Sequence, residues 1–390
     1  MASLWHVLRV AMAWLERHAE WLLVCGLIAA GAGNGYRWRR DRERAREVAA
    51  RQAKPASLVS NEIPRVSILL PAWNEAANIG PCIQSILALR YPDIELVVCA
   101  GGDDHTFDVA GRYAASNVVV LEQYAGEGKQ RALRRCFGQC TGEIIFLTDA
   151  DCILDDDCFE QVVGPVAVGA EDVTSGSWKP LDSQLSNPFV IYQWVHSVYL
   201  EVVGGKYVSS LIGRNAAASR QALEQVGAFE TNVPIGTDLF LSNQLLIAGH
   251  RIRFIRDSRV RTRYCETVTA YWQHLSRWFR NPVLLGMNSE SITIRGRWNN
   301  LRAGGVALFM LSIPIIGGVT SKIPVYLWTA VLFDLLLRQV QAVRLAELRG
   351  VPPLESHWQY LLFLAYMVVG WIGTARGFVE SFLPWRRWKW

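Results

Sequence analysis

Between Pro64 and Asn281, short apolar runs alternate with longer amphipathic stretches. VSILLPA reads as a buried strand, NEAANIGPCIQSILAL as a helix, and IELVVCA as a second buried strand. HTFDVAGRYAA then reads as a helix, NVVVLE as a strand, GEGKQRALRRCFGQC as a helix, and EIIFLTDAD as a strand ending in carboxylates. Strands alternating with helices of this length predict an α/β domain of parallel βαβ units covered on both faces. Ligands in such open sheets sit beyond the carboxyl ends of the strands, where Asp149, Ala150 and Asp151 fall.

Outside that region the pattern changes to longer apolar segments. WLLVCGLIAAGAGNGY is a little short of the roughly 20 residues a bilayer needs, so the first span is expected to start near His18, preceded by an amphipathic LWHVLRVAMAWLERHA. The rival, a cleaved signal peptide, is disfavoured by the distance of the apolar core from the start and by the arginine cluster that follows. That cluster favours the cytoplasmic side and places the N-terminus outside. The chain divides into an N-terminal amphipathic and membrane segment (1–36), a basic linker (37–63), a soluble domain (64–281), an interfacial helix (282–302) and a C-terminal membrane region (303–390). In the last of these, apolar stretches are expected at 303–320 and 323–340 as a hairpin, then from Trp358 to about Val369. Three full C-terminal spans would put the basic WRRWKW tail outside, against the charge bias, so either the last stretch stops short or one span is misplaced.

Composition supports membrane association: of 390 residues 51% are hydrophobic, 16 are Trp and only 19% are charged. The net charge of +5, much of it in the run YRWRRDRERAREVAARQAK, does not call for a nucleic acid. Eight scattered cysteines without a CxxC pair suit reduced thiols in a cytosol-facing domain.

Several residues are equipped for chemistry, and each has a plain structural alternative. Asp149 and Asp151, one residue apart at a strand end, suit a hard cation such as Mg²⁺ or Mn²⁺, although acidic turns are common. Asp155, Asp156 and Asp157 suit the start of the next helix. Lys129, in a glycine-containing loop entering a helix, suits a phosphate or is an exposed lysine. Asp238, at the front of an amphipathic helix, is either a cap or a general base. Arg277 and Trp278, adjacent on a helix, offer a bidentate grip on a diphosphate and a flat face for a sugar, or else an interfacial anchor.

The order of PAWNEAANI, GKQRAL, GEIIFLTDAD, GRNAAASRQALEQVGAF, the GTD of Gly236 to Asp238, and the Arg277 and Trp278 pair resembles the membrane-integrated family 2 glycosyltransferases. That group includes cellulose, chitin and hyaluronan synthases and the ceramide glucosyltransferases. The resemblance covers about Pro64 to Asn281 and implies a GT-A, Rossmann-like cytosolic domain with N- and C-terminal transmembrane helices. It implies that Pro71, Ala72, Asn74 and Glu75 line the nucleotide pocket and that Lys129 lies near the uridine or phosphates. Asp149 would lie by the ribose and metal, with Asp151 a metal ligand and Asp238 the catalytic base. Arg277 would hold the diphosphate and Trp278 would meet the acceptor. Two positions depart from the family pattern. Cys99 and Ala100 stand where the family carries Asp before its glycines, which leaves the nucleobase open. The QxxRW motif reads His274, Leu275, Ser276, Arg277, Trp278, with Gln273 one place early, which tilts the reading from processive synthesis toward a single transfer.

The resemblance therefore implies an inverting hexosyltransferase that uses Mg²⁺ or Mn²⁺ to move a sugar from a nucleotide diphosphate donor, a UDP-sugar by preference. The acceptor would lie in the membrane, with a lipid favoured over a glycan. The alternative is a processive polysaccharide synthase. Either would be an integral protein of a bacterial-type inner or plasma membrane with its catalytic domain cytoplasmic.

Overall fold

The computed structural model describes residues 6, 10, 13, 14, 16–50, 63–231, 233, 236–284, 298, 301–312, 322–354 and 356–383. The outer part of the basic linker (51–62), nearly all of the expected interfacial helix beyond 284, residues 313–321 and the tryptophan-rich tail (384–390) lie outside the described residues.

The domain's architecture follows from the first four strands, β1 (Val66–Trp73), β2 (Ile94–Gly101), β3 (Val118–Glu122) and β4 (Ile144–Leu147), which pair in parallel in the order β3-β2-β1-β4. Their apolar runs are continuous because both faces are covered. Ile68, Leu70, Leu96, Val98 and Phe146 point to one side, where helices α2 (Ala76–Leu87), α3 (Thr106–Gly111) and α5 (Asp156–Ala167) close a core. Leu69, Val97, Cys99, Ile145 and Leu147 point to the other, against α4 (Gly128–Gln139), α7 (Arg220–Gln225) and a later helix. Asp155 caps α5 by accepting from Cys158 N, so the acidic triplet does start that helix. All eight cysteines are free.

Beyond β4 the sheet becomes mixed, which the βαβ pattern did not announce. β8 (Ala216–Ser219) runs antiparallel to β4 and to β6 (Val173–Pro180), and β9 (Ile252–Thr262) lies parallel to β6. Short β5 (Cys152–Ile153) and β7 (Tyr207–Val208) pair with β9. The three alanines of β8 are buried, and their small size lets β8 lie between β4 and β6.

A buried carboxylate ties the sheet's opposite end together. Glu95 accepts hydrogen bonds from Ser67 Oγ, Thr141 N and Gly142 N, with Gly142 N at 2.9 Å. Burial alone would raise its pKa, but these donors outweigh it and hold Glu95 below the usual carboxylate range. Its stabilisation is therefore present above the unfolded value of about 4.3 and lost as pH falls through the folded value. Glu95→Gln is expected to cost about 1–3 kcal/mol at pH 7. In thermal unfolding of detergent-purified protein, the gap from wild type should close in acid, and a gap unchanged down to pH 3 would refute the account.

The helices outside the sheet pack as two pairs that meet on one shared core. α1 (Ala19–Ala50) is one unbroken helix that carries the apolar segment directly into the arginine run. It packs along α11 (Lys322–Glu347), where Asn34 Nδ2 and Arg37 donate to Asp334 at 2.7 and 2.8 Å. An acid within an apolar helix is thereby paired. α12 (His357–Ser381) packs instead along α9 (Val268–Leu284) and, through Phe363, on Tyr192 of α6 (Pro188–Val203). Between α9 and the helices after it lies a short apolar α10 (Leu301–Ser312). Among the described residues two helices are long and apolar enough to cross a membrane, over Ile323–Glu347 and Trp358–Ser381. The last apolar helix thus runs well past Val369, because Gly373 and Gly377 continue it against α9. A Cβ at Gly377 would lie 2.4 Å from Ser276 O, so only glycine permits this approach.

Candidate active site

The carboxyl ends of β1, β2 and β4 converge on one edge of the sheet. β4 delivers Thr148 and the Asp149, Ala150, Asp151 turn to that edge. The antiparallel pairing of Leu147 with Ala216 brings the preceding Gly213-Arg214-Asn215 loop over the same turn, where Thr148 Oγ1 donates to Arg214 O at 3.2 Å.

Four charged side chains from four parts of the chain meet here. Lys129, in the first turn of α4, donates to Asp149 Oδ1 at 2.8 Å and lies 3.5 Å from Asp238 Oδ1. Arg214 Nε is 3.8 Å from Asp149 Oδ2. Burial would raise Asp149, but Lys129, Arg214 and Arg277 together hold it below the ordinary carboxylate range. Burial would likewise depress Lys129, and Asp149 and Asp238 reverse this, keeping the ammonium charged.

Asp238 stands in the first turn of α8 (Thr237–Ile247). Its carboxylate does not cap that helix: Oδ2 accepts from Gly213 N at 3.3 Å while Oδ1 faces Lys129. Gly213 is required by proximity, since a Cβ there would lie 2.3 Å from Asp238 Oδ1.

Asp151 and Glu75 occupy the adjoining wall. Burial raises the Glu75 carboxyl above its usual value, and the charges of Asp151 and Asp149 raise it further. Among the described residues Asp151 has one side-chain hydrogen bond, from Cys152 Sγ at 3.6 Å, and its charge also interacts with Arg214. Asn74 turns back on the β2 loop, its Oδ1 accepting from Asp103 N at 2.8 Å, while Pro71 and Ala72 are buried within β1. Asp104 is engaged with Thr106 and Ala76 N. Among the described residues no group of three or more His, Cys, Asp or Glu side chains could hold a metal alone.

Arg277 and Trp278 project from α9 and are exposed. Trp278 meets Trp178 edge-on, ring centroids 6.3 Å apart, and lies 5.5 Å from His274. Burial, helped by Arg277 and Arg214, pushes His274 down to about 4, so its ring is neutral at physiological pH. α9 is anchored on α12, where Ser276 Oγ donates to Glu380 Oε2 at 3.2 Å.

A cavity of about 960 Å³ opens on this edge. Glu75, Asp151, Arg214, Arg277 and Trp278 form part of its wall, and Arg338, Gln339, Met367, Gly370 and Trp371 of the two long apolar helices form another. Lys129, Asp149 and Asp238 adjoin it through Arg214. Sequence reasoning assigned no role to Arg214 or Trp178. The GRN tripeptide could have signalled the arginine, because it stands out in the quoted family segment. Nothing local marks Trp178, whose position is set by the parallel pairing of β6 with β9.

Known proteins fit this arrangement. A sequence profile described as Glycosyltransferase like family 2 matches residues 64–281. The chain is 24% identical over 239 residues to the probable glycosyltransferase YdaM of Bacillus subtilis, covering 56% of this chain and 55% of that one. It is 21% identical over 274 residues to a poly-β-1,6-N-acetyl-D-glucosamine synthase of Staphylococcus epidermidis, covering 66% and 63%. With the glycosyltransferase AglE of Haloferax volcanii, identity is 23% over 275 residues, covering 69% and 86%. The first two matches thus span less than two thirds of those relatives' length. The solved mannosyltransferase PcManGT of Pyrobaculum calidifontis, in complex with GDP-Man and Mn²⁺, shares the fold, with TM-score 0.52 at 18% identity over 94% of this chain and 99% of that one. With the mixed sheet, the site at its carboxyl edge and a profile match over more than half its length, the chain belongs to the glycosyltransferase-like family 2 and has the GT-A α/β fold.

Proposed function

We propose that this chain moves a hexose from a nucleotide diphosphate sugar, in one inverting displacement, onto the hydroxyl of a lipid held where the catalytic domain meets the membrane. The observation that carries the reading is the shared cavity, whose walls combine Asp151, Arg214 and Arg277 with residues of both long apolar helices. A soluble acceptor would have no need of such walls. The arginine-rich end of α1 supports a cytoplasmic catalytic domain.

In this mechanism Asp238 accepts the proton of the acceptor hydroxyl as its oxygen attacks C1 of the donor sugar. The C1–O bond to the diphosphate breaks on the opposite face, and the leaving electron pair stays on the diphosphate. Arg277 and Arg214 stabilise the departing charge, and their placement before reaction makes them effective. Lys129 holds Asp149 and Asp238 in one cluster. Trp278 and Trp178 offer flat faces to the sugar or acceptor.

The donor set fits a hard divalent cation such as Mg²⁺ or Mn²⁺. Glu75, Asp149 and Asp151 are like charges in mutual repulsion. Asp151 would be the principal ligand, with Asp149 beside it. Bound there, the ion would neutralise charge growing on the diphosphate. The Mn²⁺ and GDP-Man in the Pyrobaculum complex support a metal and a nucleotide sugar. Glu75 and Asn74 adjoin the nucleotide in this reading, with Pro71 and Ala72 as its buried floor.

Gly213→Ala tests the base without touching it. The added carbon displaces the Asp238 carboxylate, and misplacement should lower kcat by roughly tenfold to 10²-fold with donor KM retained. Full kcat would argue against Asp238 acting from this position.

The function as a whole is tested by incubating the protein in its membrane with a panel of labelled nucleotide sugars and extracting the product into organic solvent. One sugar transferred onto an extractable lipid is the expected result. A second reading, a processive polysaccharide synthase, is favoured by the likeness to the Staphylococcus epidermidis synthase. A polymer smear on a gel would establish it over the first.

A further inference from the structure

Two polar atoms in the cavity wall have no hydrogen-bond partner among the described residues. His196 on α6 and Gln339 on α11 both line the cavity, and the Nε2 atoms of both are buried without a hydrogen bond. Gln339 is 5% exposed and lies within an apolar helix, where an unmet amide donor is costly. Neither side chain belongs to the charged cluster around Asp149, and the mechanism above uses neither.

We infer that His196 and Gln339 form a second polar subsite, which reads a neutral hydroxyl or amide group of the lipid acceptor apart from the hydroxyl that reacts. The inference rests on the lipid-acceptor reading and deepens it. The Gln339 amide donates, so the ligand group must accept. An imidazole nitrogen either donates or accepts, and a hydroxyl satisfies both cases. Burial pushes His196 down to about 4, with a side-chain hydrogen bond to Gln339 opposing this, so the ring carries no charge at physiological pH. An anionic phosphate would find no cation in this pair. The neighbouring Arg338 is already held by Asp334 at 2.8 Å. The remaining walls from Ala342, Met367 and Gly370 suit an alkyl chain.

The test uses the full-length protein purified in detergent and three single-chain probes: 1-O-decylglycerol, its 2-deoxy counterpart 3-decyloxypropan-1-ol, and decyl phosphate. Retention is read by native mass spectrometry, and donor affinity by calorimetry. Wild type is expected to retain decylglycerol about tenfold better than the deoxy probe, as loss of a partner for buried polar groups predicts. His196→Phe and Gln339→Leu should each erase that preference with donor affinity intact. Equal retention of the two neutral probes by wild type would overturn the subsite without recourse to any variant. So would a preference that survives both substitutions, or tighter retention of decyl phosphate. If none of the three is retained while the donor binds normally, the lipid-acceptor reading falls and the subsite with it; bound lipid without discrimination sinks the subsite alone.

Discussion

Asp238→Asn is expected to lower kcat by about 10²- to 10⁴-fold, the usual contribution of a positioned general base. The substitution preserves shape and the hydrogen bond from Gly213 N, so the fold and the donor site should persist. It also removes one of the two acids beside Lys129, but Asp149, at 2.8 Å, still holds that ammonium. The effect should therefore fall on turnover and leave donor affinity in place. The comparison requires single-turnover rates with saturating acceptor, alongside calorimetric donor binding. Near-normal turnover with donor bound would remove Asp238 from the chemistry.

Asp151→Asn should be nearly as severe, for a different reason. In the proposed mechanism Asp151 is the principal metal ligand, and the lost charge stabilisation is on the order of 10²- to 10³-fold in rate. Donor affinity should fall too, because Asp151 would no longer hold a cation whose charge favours the donor phosphates. Wild type is expected to lose activity on chelation and recover it with Mg²⁺ or Mn²⁺, whereas the variant should bind donor equally weakly with or without the ion. If calorimetry instead finds the same metal-dependent donor affinity in both proteins, Asp151 is not the ligand. The variant relieves like-charge repulsion on Glu75, so its stability should hold or rise, separating a catalytic loss from unfolding.

Much of the catalytic layer was legible because its signals are local. Continuous apolar runs such as VSILL and IELVV mark strands covered on both faces, and alternate residues then divide between the two cores. The DAD turn could be placed at a strand end because EIIFL precedes it. Harder to read was the second half of the sheet: AAAS carries no strand periodicity, and β8 exists because small residues fit between β4 and β6. The length of the last apolar helix was underestimated because TARGFVES looks polar in isolation. In the fold, Arg376 pairs with Glu380 at 2.8 Å and the glycines face α9.

Short-range patterning settled the first four strands and the residue types at their ends, since hydrophobic spacing and turn chemistry act over a few positions. Folding alone determined that Lys129, Asp149, Arg214 and Asp238 share one cluster and that Arg214 lines a cavity reaching α11 and α12. Such meetings depend on strand order and helix packing between residues far apart in the chain. A one-dimensional pattern can name the charged groups but cannot fix which of them come within a few ångströms, and the chemistry resides in those separations.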